Sequence, residues 1–250
     1  MAYALALVFL YFFQEWFLFY PSKISRDYEY KFDTNFTEGY FKSNENELNF
    51  LHFYATNPKG AVLFIHGNSD DLRRWGGLSP IYTRLGLDFY TYDYPGFGKS
   101  SGKIKNETEL FEDAKNALEL VKKDFLPQDI IVVGYSLGTG IASHLVCTQN
   151  LPNLVLFAPY FSMESEIAQV SKIVPNFIVR YPIRTNKFLA DCGANITIIH
   201  GDEDRLINIK NGRNLAKILK NGEYYEISGA NHNSVIIDEK SVKILEKRLK

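Results

Sequence analysis

Residues 130–148 read as a strand, a tight turn and a helix, and that succession constrains this chain more than any other stretch. Ile130 to Val133 is an apolar run, Gly134-Tyr135-Ser136-Leu137-Gly138 follows it, and a helical stretch extends from Leu137 to about Thr148. A serine on such a turn carries strained dihedrals, so the positions two before and two after it must be small for strand and helix to approach. Gly134 and Gly138 meet that demand. The turn lifts the Ser136 hydroxyl above the sheet edge, and the helix N-terminus supplies N–H groups and a positive dipole end beneath a developing oxyanion. Ser136 is the candidate nucleophile; the plainer alternative is a glycine-rich turn carrying a surface serine.

A serine presented this way finds its acid and then its histidine further along the chain. Of five histidines, only His200 and His232 lie well beyond Ser136. His200 ends the buried run Ile196 to Ile199 and reads as a structural strand-end residue. His232 sits in the polar loop Ser228 to Asn233, after the strand-like Glu223 to Ile227, and is the candidate base. Asp202, Glu203 and Asp204 all follow His200. Asp204 is the expected acid, because the loop through Arg205-Leu206-Ile207 lets its carboxylate turn back toward the histidine loop while Asp202 stays near the strand end; the plainer alternative is that Asp202 caps a turn and all three acids are solvated. Asp93 precedes the serine and is expected to be structural.

Upstream, Ala61 to Ile65 reads as a buried strand running into His66-Gly67-Asn68. The backbone N–H groups of Asn68 and Leu137 are the expected oxyanion donors. His66 is expected to hold its loop by hydrogen bonding.

Buried runs at Ala61 to Ile65, Asp88 to Tyr92, Ile130 to Val133, Leu154 to Phe157 and Ile196 to Ile199 alternate with helical stretches, which predicts a mostly parallel sheet covered on both faces. Phe36 to Phe41 and Glu47 to Tyr54 flank Asn44-Glu45-Asn46 as a hairpin. One helix is predicted from Glu107 to Phe125, capped by Asn106 and Glu109 and stopped by Pro127. Another spans Asn211 to Lys220, with Asn221-Gly222 as its end.

Six motifs occur here in the order seen in α/β-hydrolases: His66-Gly67-Asn68, Tyr92 to Ser100, Gly134 to Gly140, Ala158 to Ser162, His200 to Asp204, and Asn231-His232-Asn233. Over about residues 36–250 the chain resembles the BEM46-like, ABHD13-like and ABHD17-like group with an N-terminal membrane segment. The resemblance implies an α/β-hydrolase fold with an eight-stranded sheet and minimal cap, a Ser136, Asp204, His232 triad, and Asn68 and Leu137 as oxyanion donors. It leaves the substrate open.

With 250 residues and 46% hydrophobic content the chain can bury one large core. A net charge of −1, with basic residues scattered along the chain, offers nucleic acid no field. Cys147 and Cys192 match no metal-ligand or C-x-x-C spacing; a buried inert thiol is expected at Cys147, and a bond between the two stays open. No metal cluster or phosphate loop is visible, so a cofactor-free and metal-free mechanism is expected. Fewer than forty residues separate Ala158 from Ile196, which predicts an open cleft under one or two short helices. Tyr160, Phe161, Phe177, Tyr181 and Phe188 there either line an acyl pocket or pack the insert onto the sheet.

At the N-terminus, Ala2 to Phe13 is unbroken apolar, Gln14-Glu15 interrupts it, and Trp16 to Tyr20 continues to Pro21. Twelve residues fall short of the roughly twenty that span a bilayer. Residues 1–22 are therefore expected to be an interfacial anchor or marginal span, ahead of a catalytic domain at 28–250 that does not need them; packing of this leader on the domain is the alternative. Lys23, Arg26 and Lys31 favour a cytoplasmic catalytic domain. The expected activity is cleavage of carboxylic esters or thioesters, with a small-molecule or acylated substrate as the partner. Amidase, peptidase or acyltransferase chemistry on the same residues is the alternative, and a ligand- or partner-binding protein is the non-enzymatic one.

Overall fold

The computed structural model describes residues 1–171 and 173–249. Eight strands form one sheet: β1 (Phe36–Ser43), β2 (Asn46–Phe53), β3 (Gly60–Ile65), β4 (Leu87–Tyr92), β5 (Ile130–Tyr135), β6 (Asn153–Phe157), β7 (Asn195–Gly201) and β8 (Gly222–Ile227). Their spatial order is β1-β2-β4-β3-β5-β6-β7-β8. The β1–β2 hairpin is antiparallel and joins β4 antiparallel, while every other pairing is parallel. This is the α/β-hydrolase fold, as expected from the alternation of buried runs and helices.

The central parallel strands β3, β5 and β6 are largely apolar because both faces are covered, and the two-residue period deals their side chains to separate cores. Leu63, Val132 and Leu156 face one core with the Glu107–Val121 and Leu137–Gln149 helices; Phe64, Val133 and Phe157 face the other with Trp75, Tyr82 and Leu245. Asn106 caps the first of these helices by accepting from Glu109 N at 2.9 Å. That helix ends at Val121, short of the predicted Phe125, because Lys122–Phe125 turns before the extended Leu126 that precedes Pro127. The Lys210–Ala216 helix likewise stops before Lys220, and Gly222 already belongs to β8.

Among the described residues, the insert between β6 and β7 holds the short helices Met163–Val170 and Thr185–Ala190, with a 3₁₀ turn at Asn176–Ile178 between them. Tyr160 and Tyr181 are fully buried packing residues, Phe161 and Phe188 pack partly against the core, and Phe177 is 82% exposed. Their aromatic rings thus pack the insert onto the sheet or face outward. Cys147 and Cys192 form a disulfide tying the Leu137–Gln149 helix to the end of the insert, so Cys147 is not the inert thiol expected from its helical position.

Among the described residues no helix is long and apolar enough to cross a membrane. Ala2–Phe12 is a helix of 11 residues with none buried, followed by the short Glu15–Leu18 helix. The expected division at residue 22 falls in packed chain: Gln14 and Phe19 are buried, and Tyr20–Pro21 pairs in parallel with Ser69–Asp70. Hence the leader packs on the domain from Gln14 onward.

Candidate active site

The turn after β5 is built as its glycines predict. Ser136 sits at φ 52°, a left-handed value that costs a non-glycine residue strain. A Cβ on Gly138 would lie 2.0 Å from Ile65 O, and one on Gly134 would meet Gly138 O at 2.7 Å. Neither position admits a side chain, so strand and helix close around the serine. Leu137 opens the helix directly behind it.

The structure brings Ser136, His232 and Asp204 together from three strand ends. Ser136 Oγ lies 3.0 Å from His232 Nε2, and His232 Nδ1 lies 2.7 Å from Asp204 Oδ2. A carboxylate facing Nδ1 fixes the proton there and leaves Nε2 to accept from the hydroxyl. The Asp204 side chain is fully buried, and burial alone would push its carboxyl up. Donors from His200 and His232 and the backbone N–H of Ile207 outweigh burial and hold it well below the usual carboxylate range. Leu206 N and Ile207 N both donate to Oδ1, at 2.9 and 2.8 Å.

The neighbouring acids are placed differently. Asp202 is exposed and accepts from Gly229 N at 2.7 Å, tying the β7 loop to the histidine loop; Glu203 points to solvent. Two positioning contacts were not foreseen. His200 is more than a strand-end filler, since its Nε2 lies 3.2 Å from Asp204 Oδ2 and 3.0 Å from Ile207 O. Tyr135 donates to His232 O at 3.0 Å, fixing the histidine loop from the residue beside the serine. The Tyr135 contact has no local signature, because its partner lies on another strand end, whereas His200 meets partners four and seven residues on in the loop after its own strand.

His66 and Asp93 support the opposing loop. His66 is fully buried; its Nδ1–H donates to Gly67 O at 2.7 Å, and Tyr94 donates to His66 O at 2.6 Å. Burial pulls the His66 ring down to about 4, leaving it neutral near pH 7. Burial also pushes the Asp93 carboxyl well up, 3.6 Å from His66 Nε2. The loop they hold lies against the serine: a Cβ on Gly67 would come 3.5 Å from Ser136 Cβ. Asn68 follows, its side-chain amide donating to Leu18 O at 2.9 Å and its carbonyl accepting from Tyr20 N at 2.8 Å. Sequence reasoning missed this contact with the N-terminal segment.

Beside Asp204 opens a cavity of about 860 Å³. Its walls come from the N-terminal segment (Leu10, Phe17, Leu18), the insert (Ile167, Val174) and the loop after β7 (Leu206). The aromatic residues expected to line an acyl pocket are not among its walls. Among the described residues no group of three His, Cys, Asp or Glu side chains is placed to hold a metal ion.

Fold and site together define a hydrolase-type α/β protein, and comparison with known proteins agrees. The family described as serine aminopeptidase, S33, matches residues 56–189, more than half of the chain. A protein of Acanthamoeba polyphaga mimivirus named as an alpha/beta hydrolase is 26% identical over 230 residues, covering 88% of this chain and 86% of its own length. Human alpha/beta hydrolase domain-containing protein 17B is 30% identical over 198 residues, 72% of this chain, which spans only 63% of the human protein. A Pyrococcus furiosus esterase structure superposes with a TM-score of 0.71 at 15% identity, over 92% of this chain and 98% of that one. The chain belongs to the α/β-hydrolase family.

Proposed function

We propose that this chain is a serine hydrolase that cleaves carboxylic esters or thioesters through an acyl-enzyme on Ser136. The observation that carries the reading is the unbroken line from Ser136 Oγ through the His232 ring to Asp204 Oδ2. His232 Nε2 removes the hydroxyl proton as Oγ bonds to the acyl carbon, and Asp204 stabilises the imidazolium and fixes its orientation. The backbone N–H groups of Leu137 and Asn68 receive the oxyanion. His232 then gives its proton to the departing alkoxide or thiolate; water, deprotonated by the same nitrogen, releases the acid and restores Ser136. An acyltransferase would differ only in using an alcohol for that water.

One feature supports action at a membrane surface. The Ala2–Phe12 helix exposes Leu5, Val8, Phe9 and Phe12, with Trp16 beyond it, an apolar face suited to lie in the headgroup region. The substrate would then be an acylated molecule held at that surface. The Cys147–Cys192 bond weighs against the cytoplasmic placement favoured by the flanking basic residues, since disulfides persist in oxidising compartments.

Peptidase action is the second reading, favoured by the description of the matching family and by Glu166 on the cavity wall, where a substrate amine would find a carboxylate. Matched p-nitrophenyl esters, thioesters and amino-acid anilides separate the two. The expected result is faster turnover of esters and thioesters, whose leaving groups depart with less help from an acid than an amine does. Anilide kcat/KM equal to or above that of the esters favours the peptidase.

A further inference from the structure

Gln14 and Glu15, the polar pair interrupting the apolar leader, fasten it to the insert. Gln14 is 8% exposed, and its amide serves two backbone groups: Nε2 donates to Ile178 O at 2.6 Å, and Oε1 accepts from Arg180 N at 2.9 Å. Glu15 Oε1 accepts from Arg180 at 2.8 Å and from the Tyr181 hydroxyl at 2.6 Å. Phe19 packs edge-on against Tyr181 with ring centres 5.2 Å apart. At its far end the segment is held by Asn68, whose backbone is the expected oxyanion donor. A polar pair inside an apolar stretch is costly unless partnered, and here both residues find partners in this domain.

The cavity lies in the space this clasp encloses. Asp204, bonded to His232, and Leu18, bonded to Asn68, both belong to its lining, which sets the cavity beside the proposed reaction centre. Its walls are mainly aliphatic, with Phe17 as the aromatic member. Its size falls in the range of small-molecule sites, about 300–1,000 Å³. Glu166, its acidic side chain apart from Asp204, accepts from Gln169 at 2.8 Å.

We propose that this cavity is the acyl-chain site and that Leu10 to Leu18 is its outer wall, which makes Phe17 and Ile167 determinants of chain length and Gln14 and Glu15 positioning residues that hold the wall shut. The inference rests on the proposed hydrolase reading. It replaces the idea of a leader detachable from catalysis.

The test uses the full chain, p-nitrophenyl esters from acetate to octanoate, and a fluorophosphonate probe that reports Ser136 independently of chain length. Wild type should show a fall in KM of about two- to fourfold per added methylene until the cavity is full. Ile167→Trp, which fills the cavity, and the double change Gln14→Ala with Glu15→Gln, which loosens the wall, should each lower the octanoate-to-acetate ratio of kcat/KM at least about tenfold, chiefly through KM. Thermal melts identify any variant that fails to fold, and Phe17→Ala then substitutes for it. A labelled enzyme that cleaves acetate with a flat chain-length profile, or a ratio unmoved by Ile167→Trp, overturns the cavity assignment while the hydrolase reading stands. Absence of both labelling and ester turnover in wild type overturns the hydrolase reading itself. Preference for esters with a free α-amine, lost in Glu166→Gln, overturns the acyl-chain assignment in favour of amine recognition.

Discussion

Asp204 and Asp202 stand two residues apart on one loop and do different work. Asp204 is buried between two histidines, whereas Asp202 is exposed and bonded to a glycine N–H. Asp204→Asn should therefore lower kcat by roughly 10³ to 10⁴ by removing the charge that orients His232, and Asp202→Asn should cost far less. Steady-state kinetics on one ester decides it, and the reverse ranking moves the role to Asp202. A second carboxylate carries a pH signature for stability. Asp113 is buried beneath Ser43, and burial pushes its carboxyl up to about 7 despite the hydrogen bond from that serine. A carboxyl with a raised folded-state value binds its proton more tightly in the native chain than in the unfolded one, so stability should fall as pH rises from about 4 to about 7 and then level off. Asp113→Asn should remove that slope and be more stable than wild type at pH 8 by an amount of order 1–3 kcal/mol. Urea unfolding at pH 5 and pH 8 measures it; parallel pH dependence in the two proteins contradicts the assignment.

At the scale of elements, the strands were legible to within two residues because the central parallel ones are nearly continuous apolar runs ended by turns, the pattern that burial on both faces leaves, while Asn44-Glu45-Asn46 marks the β1–β2 hairpin. Ser136, Asp204 and His232 were legible as neighbours because each follows a strand end at the same edge of the sheet. The helix ends were less so: Phe125 continues the apolar period of its helix, but the chain must unwind before Pro127. The disulfide left no sequence signal, since the pairing of two cysteines 45 residues apart depends on how the insert folds back over the Leu137–Gln149 helix. Closing a loop of that length should stabilise the fold by about 4 kcal/mol on the chain-entropy account. The double change Cys147→Ser with Cys192→Ser should lower stability by about 2–4 kcal/mol while the kcat of the folded enzyme stays within about threefold, because the bond lies away from the reacting atoms. Denaturant titration beside initial rates checks both halves; an unchanged midpoint counts against a native disulfide.

At the scale of the whole chain, the leader of this α/β-hydrolase domain has two tasks in the proposed reading. Residues 2–12 expose an apolar face, and residues 14–21 are fastened to the insert and to the Asn68 loop. The sequence displayed the first property as an apolar run and hid the second, because the partners of Gln14 lie more than 160 residues away and contacts across that distance have no periodicity to read. Removing Met1–Phe9 should abolish co-sedimentation with lipid vesicles and leave soluble-ester turnover largely intact, whereas removal through Tyr20 should destabilise the domain. Vesicle binding unchanged by the shorter truncation contradicts the proposed membrane face.

The central claim is that Ser136 is the nucleophile on which these parts converge. Mass spectrometry of the full chain after fluorophosphonate treatment tests it most directly. A single adduct on the peptide bearing Gly134 to Gly138, absent in Ser136→Ala, is the predicted result. An adduct on any other residue, or the same adduct yield in Ser136→Ala, would contradict it.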